Sequence, residues 1–145
     1  MRVDTDWTDP AFAGRPIPKP DAEGAEFFAG IDRGVLLYQE CPACGHRQLY
    51  PRAICTGCGG EPSWAEGSGR GTVHTFTIVR QSLTPPFASL VPYVIAVVEL
   101  DEGPHLMANL TDCDPEAVRI GMAVEAYGVR VEEGLAVPFW RPAAP

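Results

Sequence analysis

The sequence predicts a mainly β protein in three parts: an N-terminal arm carrying a helix, a ribbon built on cysteine knuckles, and a C-terminal five-stranded barrel of the OB type. Three observations lead there. Glycine and proline contribute 15 residues each to a chain of 145, which suits short strands joined by tight turns better than a helical bundle. Four cysteines fall into two C-x2-C pairs. From Gly71 onward, β-branched and aromatic residues recur in short runs between turn signals. The parts divide at residues 1–34, 35–68 and 69–145.

Residues 1–20 hold Pro10, Pro16, Pro18 and Pro20 and read as an extended or loosely ordered arm. A short helix follows between Asp21 and Gly34. Asp21 can cap its first amides, Glu23 favours its positive end, and Gly34 suits a left-handed stop. Phe27, Phe28 and Ile31 form one apolar stripe, while Gly24 and Gly30 weaken the helix internally. It therefore needs something to pack on.

Val35–Glu40 reads as a strand entering the first cysteine pair. Arg47–Ala53 passes back between the pairs, and Ser63–Glu66 carries Trp64 beyond the second. Gly67-Ser-Gly-Arg-Gly71 marks a joint. Thr72–Val79 is the first barrel strand, with Val73, Thr75, Thr77 and Val79 expected on one face. Pro92–Leu100 and His105–Leu110 form a hairpin about Asp101-Glu-Gly-Pro104. Asp114-Pro-Glu-Ala-Val118 starts as a capped turn with proline at its first position. Ala123–Val131 and Ala136–Trp140 are the last two strands, separated by Glu132-Glu-Gly134. Five strands with a helical turn between the third and fourth meet the requirement of an OB barrel.

Cys41-Pro-Ala-Cys44 and Cys55-Thr-Gly-Cys58 give the spacing C-x2-C-x10-C-x2-C. Each two-residue gap lets both sulfurs of a pair face one point, and two pairs converge tetrahedrally on one metal ion. Gly45 and Gly59 follow the pairs, where positive φ turns nearby amides toward the sulfurs. Residues 35–66 hold too few large apolar groups for a core of their own. Structural zinc, worth roughly 10–16 kcal/mol in small finger peptides, holds such a segment folded. The same ligands accept iron in an electron carrier, and two disulfides or a catalytic zinc are further readings. A catalytic zinc needs an open position, which four cysteines close.

The chain carries 11 Lys and Arg against 19 Asp and Glu, a formal charge of −8. Lys19 is the lone lysine. Such a balance argues against nucleic acid as the main ligand, because that affinity comes largely from cations on phosphates. A nucleic-acid-binding ribbon and barrel is nonetheless an alternative reading, since both modules serve that purpose elsewhere. No apolar run approaches the roughly 20 residues of a membrane-spanning helix, and the acidic, polar start does not read as a secretory signal. A cytoplasmic chain is expected.

Other residues carry weaker signals. Cys113 lies between Asp112 and Asp114, whose charges raise rather than lower a thiol pKa, so it reads as a semi-buried thiol. His46 lies beside a ligand set that is already complete. His74 and His105 sit on strands, with no nucleophile at a motif spacing. Arg47, Arg52 and Arg70 belong to the ribbon or its edge and Arg80 ends the first barrel strand; they are candidates for phosphate contacts to a nucleotide or coenzyme A, or else pair with the chain's carboxylates. Pro85-Pro86-Phe87 and Pro92-Tyr93 make a stiff aromatic loop. No catalytic constellation stands out.

With these pieces in order, the chain resembles the family grouped as domain of unknown function thirty-five. The resemblance covers roughly residues 21–141. It rests on Phe27-Phe28, the strand into Cys41-Pro-Ala-Cys-Gly45, Tyr50-Pro-Arg52, Cys55–Cys58, Trp64, Gly69-Arg-Gly-Thr-Val73, Pro92-Tyr93, Ala108-Asn-Leu110 and Ile120-Gly121. Tyr50 departs from the second proline often found there. The resemblance implies a rubredoxin-like zinc ribbon with an OB fold. It also implies a non-catalytic accessory subunit of a thiolase-like enzyme, such as a thiolase, an acyltransferase or a steroid side-chain aldolase. Such a subunit bridges its partners or helps cover the coenzyme A thioester, with acyl-CoA as a shared ligand. Phe12, Phe27, Phe28 and Ile31 are then candidates for docking a partner, or else pack on this chain's own barrel.

Overall fold

Strand-forming sequence after residue 70 closes on itself, and what precedes it is laid against the outside of that closure. In the computed structural model, residues 1–5, 8–9 and 11–145 are described. Pro10, counted among the arm's prolines, lies outside them. The elements run β1 (Val3–Asp4), α1 (Ala25–Asp32), β2 (Leu37–Glu40), β3 (Arg47–Gln48), β4 (Ser63–Glu66), β5 (Arg70–Val79), β6 (Tyr93–Leu100), β7 (His105–Leu110), β8 (Ala123–Glu132) and β9 (Leu135–Pro142).

β5 pairs antiparallel with β6 on one side and β8 on the other. β6 continues to β7, β7 meets β9 in parallel at Leu110 and Trp140, and β8 pairs with β9. The circuit β5-β6-β7-β9-β8 is therefore closed, the OB arrangement, and closure removes most open edges. Val73, Val94, Ala96, Val98, Leu106, Leu110, Val124, Ala126 and Trp140 fill the interior, all buried. The connection from β7 to β8 passes through the 3-10 turn Pro115–Ala117, capped by Asp114 Oδ1 accepting from the Glu116 amide at 3.0 Å. Val118, just after it, is buried in the same core.

The face expected for the first barrel strand holds at Val73 and not at Thr75, Thr77 or Val79. Val73 points inward, but the register slips between Val73 and Thr75, making His74 the extra residue of a β-bulge. The slip inverts the alternation. Thr75 and Thr77 are exposed, while Phe76 and Ile78 pack toward the core.

Helix α1 lies across β8 and β9, burying Phe27 and Ile31. Close approach explains two glycines. A Cβ at Gly128 in β8 would sit 2.8 Å from Ile31 Cγ2, and one at Gly30 would sit 2.7 Å from Leu37 Cδ1. Gly30 thus costs helix propensity but lets the helix seat on the chain that follows it. Arg130 of β8 donates to the Asp32 carboxylate, and its second nitrogen reaches the Asp32 carbonyl at 3.2 Å. The helix is shorter at its start than the sequence predicts: Asp21 Oδ1 caps the Gly24 amide at 2.7 Å one turn earlier, and Gly34 closes the end at φ 82°.

The arm is tied down. β1 adds in parallel to β8, an addition that two residues, Val3 and Asp4, are too few to announce. Phe12 is buried among Tyr127, Val129 and Phe139 on the barrel's outer wall, its ring 4.9 Å from that of Phe139.

Candidate functional site

Strands β3, β2 and β4 form a separate three-stranded sheet, and the two cysteine pairs close its end. The knuckles repeat one backbone pattern. The Cys41 amide donates to the His46 carbonyl and the Gly45 amide to the Cys41 carbonyl. In the same way the Cys55 amide donates to Gly60 and the Gly59 amide to Cys55, all at 2.7–2.9 Å. Gly45 and Gly59 supply the positive φ this requires, 75° and 79°.

The sulfurs converge. Cys41 Sγ lies 3.6 Å from Cys58 Sγ, Cys44 Sγ lies 3.7 Å from Cys55 Sγ, and all four fall within 4.8 Å of one another. Four thiolates at about 2.3 Å from one tetrahedral zinc stand about 3.8 Å apart, so the cradle fits that ion with small adjustments. The Gly57 amide donates to Cys55 Sγ at 3.3 Å. Burial opposes ionisation of Cys55, but the amides of Cys58 and Gly57 and the adjacent thiols favour it more, bringing its pKa down to about 6. At Cys44 the His46 amide favours the thiolate, yet its thiol neighbours and burial outweigh this and push it up to about 12. One sulfur therefore arrives charged, while another gives up its proton only to a cation. His46 is turned away to Thr56 Oγ1 at 2.9 Å and is no ligand.

Beneath the sulfurs the ribbon is polar. Gln39 and Gln48 are both buried and joined, Gln48 Nε2 donating to Gln39 Oε1 at 2.8 Å. Gln39 then takes the Arg52 amide and gives to the Arg52 carbonyl, while Gln48 takes the Thr56 amide and gives to the Ile54 carbonyl. Two side chains thus fix the whole return loop between the knuckles. Glutamine in a strand gives no pattern signal, so the sequence did not reveal them.

The ribbon is bonded to the barrel. The Ser68 amide donates to Glu102 Oε1 at 2.7 Å, Arg47 reaches the Glu102 carbonyl at 3.2 Å, and the Met107 amide donates to the Tyr50 hydroxyl at 3.0 Å. The last bond covers an open stretch of β7. At Gly67–Gly71, where the sequence suggests a joint, the chain is anchored as it crosses by the bond from Ser68 to Glu102.

Between the arm, α1, the ribbon loop and strands β7 and β9 opens a cleft of about 590 Å³. Its walls include Phe27, Phe28, Phe87, Met107 and Phe139, with Arg15 and Arg52 as its cations. Arg15 lies between the Phe87 and Phe139 rings, 5.6 and 5.3 Å from their centroids, and donates to Asn109 Oδ1 at 2.7 Å. Burial draws its pKa down, offset by Tyr127 and Tyr93, and a guanidinium stays cationic regardless. Among the described residues, the cleft's other ionisable groups each accept a backbone hydrogen bond: Asp21 from the Gly24 amide, Tyr50 from that of Met107.

The four arginines singled out by sequence are not brought together. Arg52 lines the cleft, but Arg47 pairs with Glu40 at 2.6 Å and Arg80 with Glu116 at 2.6 Å, while Arg70 lies at the start of β5. Arg15 was overlooked because proline-rich sequence around it reads as loose chain. Among the docking candidates, Phe12, Phe27 and Ile31 are buried on this chain's own barrel, Phe27 at the inner wall of the cleft. Phe28 alone of the four keeps partial exposure, at the cleft. Cys113 is half-buried, with its pKa raised by burial and then by Asp112 and Asp114.

Residues 28–63 match the family described as ChsH2, rubredoxin-like zinc ribbon domain, and residues 64–136 match ChsH2, C-terminal OB-fold domain. A DUF35 domain-containing scaffold protein of Methanocaldococcus jannaschii is 38% identical over 104 residues, 70% of this chain and 73% of that protein. The chain belongs to the DUF35 family. A solved structure named as the Ltp2-ChsH2(DUF35) aldolase superposes on this DUF35 chain with a TM-score of 0.77 at 31% identity, covering 88% of this chain and 99% of that one. The 3-oxo-4,17-pregnadiene-20-carboxyl-CoA hydratase alpha subunit of Mycobacterium tuberculosis is 42% identical over 121 residues, 83% of this chain. The DUF35 chain spans about two fifths of the length of the relatives named as hydratase alpha subunits.

Proposed function

We propose that this DUF35 chain is a non-catalytic accessory subunit of a thiolase-fold enzyme acting on acyl-CoA thioesters. In this reading Cys41, Cys44, Cys55 and Cys58 hold one structural zinc, and the chain joins its partner in a hetero-oligomer. The observation that carries the proposal is the cleft assembled from all three parts of the chain. Its aromatic and aliphatic walls suit the apolar stretch of a pantetheine arm, and Arg15 and Arg52 supply charge for phosphates. Asp21 and Tyr50 each accept a hydrogen bond from a backbone amide there, and this reading places the reacting groups on the larger partner. Relatives named for an aldolase and for hydratases of acyl-CoA point the same way. The relative named for a pregnadiene carboxyl-CoA suggests a steroid or similarly bulky acyl group as the substrate class.

Zinc supplies no chemistry to the thioester in this arrangement. It holds the ribbon, and the ribbon holds Tyr50, Pro51 and Arg52 over one wall of the cleft.

Purification of the tagged chain from its native cell, with identification of what accompanies it, tests the proposal. A thiolase-fold enzyme should co-purify, and the complex should bind acyl-CoA about tenfold more weakly when Arg52 becomes alanine. Thioester turnover by the isolated chain, or a lone monomer without affinity for acyl-CoA, overturns it.

A further inference from the structure

The barrel's outer wall carries a second cluster of metal-ligating side chains, remote in kind from the cysteine cradle. His74 lies on β5, Glu99 on β6 and His105 on β7, three adjacent strands. Glu99 is directly opposite His105 in the ladder, and His105 Nε2 lies 3.6 Å from Glu99 Oε2. β5 and β7 are two strand spacings apart, about 9.6 Å between backbones. Their imidazole rings nevertheless stand with centroids 4.5 Å apart, because both lean over β6. One ligand atom from each of the three residues lies within 4.8 Å of the others.

The bulge bears on this arrangement. His74 is the extra residue between Val73 and Thr75, and bulges re-aim side chains. All three residues are exposed, so their rotamers are free to shorten these distances further.

We propose that His74, Glu99 and His105 form a solvent-open site for a divalent transition-metal ion. Two imidazoles and one carboxylate are a borderline donor set, which selects zinc, nickel, cobalt or copper ions over magnesium and calcium. Three protein ligands leave at least one position to water. The ion there is therefore exchangeable, unlike one enclosed by four thiolates.

The test is a calorimetric titration of nickel ion into the full chain already loaded with one equivalent of zinc, its zinc content measured before and after. The expected result is one further equivalent bound with micromolar affinity while the zinc stays in place. H74A, H105A and E99Q should each weaken that binding by about 10- to 100-fold with circular dichroism and zinc content unchanged, since all three side chains are exposed. H46A, which alters the third histidine, should leave it intact. Absence of a second equivalent overturns the proposal, and so does binding that survives H74A/H105A together.

Discussion

In the ribbon, four sulfurs and two buried glutamines occupy the place that Val73, Val98, Leu106 and Trp140 occupy in the barrel. Both regions are mostly antiparallel β-structure, but the barrel closes on itself, through a parallel contact of β7 with β9, and the ribbon does not. A closed sheet encloses a volume that apolar side chains fill at crystal-like density. A sheet of strands two to four residues long encloses nothing, so its order comes from directional bonds to a metal and to backbone. The difference teaches where each region is vulnerable. The barrel fails by cavity formation and the ribbon by loss of a ligand or an orphaned amide.

The largest break expected is selective. Chelating the metal, or changing Cys41 to serine, should unfold the ribbon while the barrel keeps its strands. Hydrogen exchange would show protection lost in β2–β4 and kept in β5–β9; uniform loss would mean that the two regions share one cooperative unit. Next in size, Trp140→Ala should cost about 3–5 kcal/mol, the usual cost of emptying an aromatic site in a core. It should lower the thermal midpoint without changing zinc content.

Gln39→Ala should cost about 1–3 kcal/mol, because the Arg52 amide and Gln48 Nε2 both lose their acceptor. Denaturant unfolding measures it, and Gln39→Leu should be no better despite its apolar bulk. The smallest effect sharpens the electrostatics. With Cys55 at about 6 in the empty cradle, that sulfur is already a thiolate at pH 7.5 and protonated at pH 5. Zinc entry should therefore release about one more proton at the lower pH, and affinity should fall as pH drops. Calorimetry in buffers of different ionisation enthalpy counts those protons.

Much of the fold was legible because local rules and the global fold agree. His105–Leu110 and Ser63–Glu66 have the bounds read from sequence, and the Asp114 cap formed as its Asp-Pro signature requires. The zinc cradle was legible too, since C-x2-C spacing is a statement about geometry. The cleft was not. It draws Arg15, Arg52, Met107 and Phe139 from segments far apart in the chain, and no periodicity in any one of them marks a shared wall. Thr75 and Thr77 were misplaced for a related reason: a bulge is decided by the partner strand, not by the strand that carries it.

The sequence by itself determined the four sulfurs, the order of the strands and the apolar stripe of the helix, because each depends on residues a few positions apart. Tertiary structure alone decided that Phe12, Phe27 and Ile31 are buried against this chain's own barrel. It also decided that two glutamines hold the ribbon loop, and that His74 and His105 meet across an intervening strand. Those outcomes depend on which surfaces lie opposite one another once the barrel has closed, and closure is a property of the whole chain.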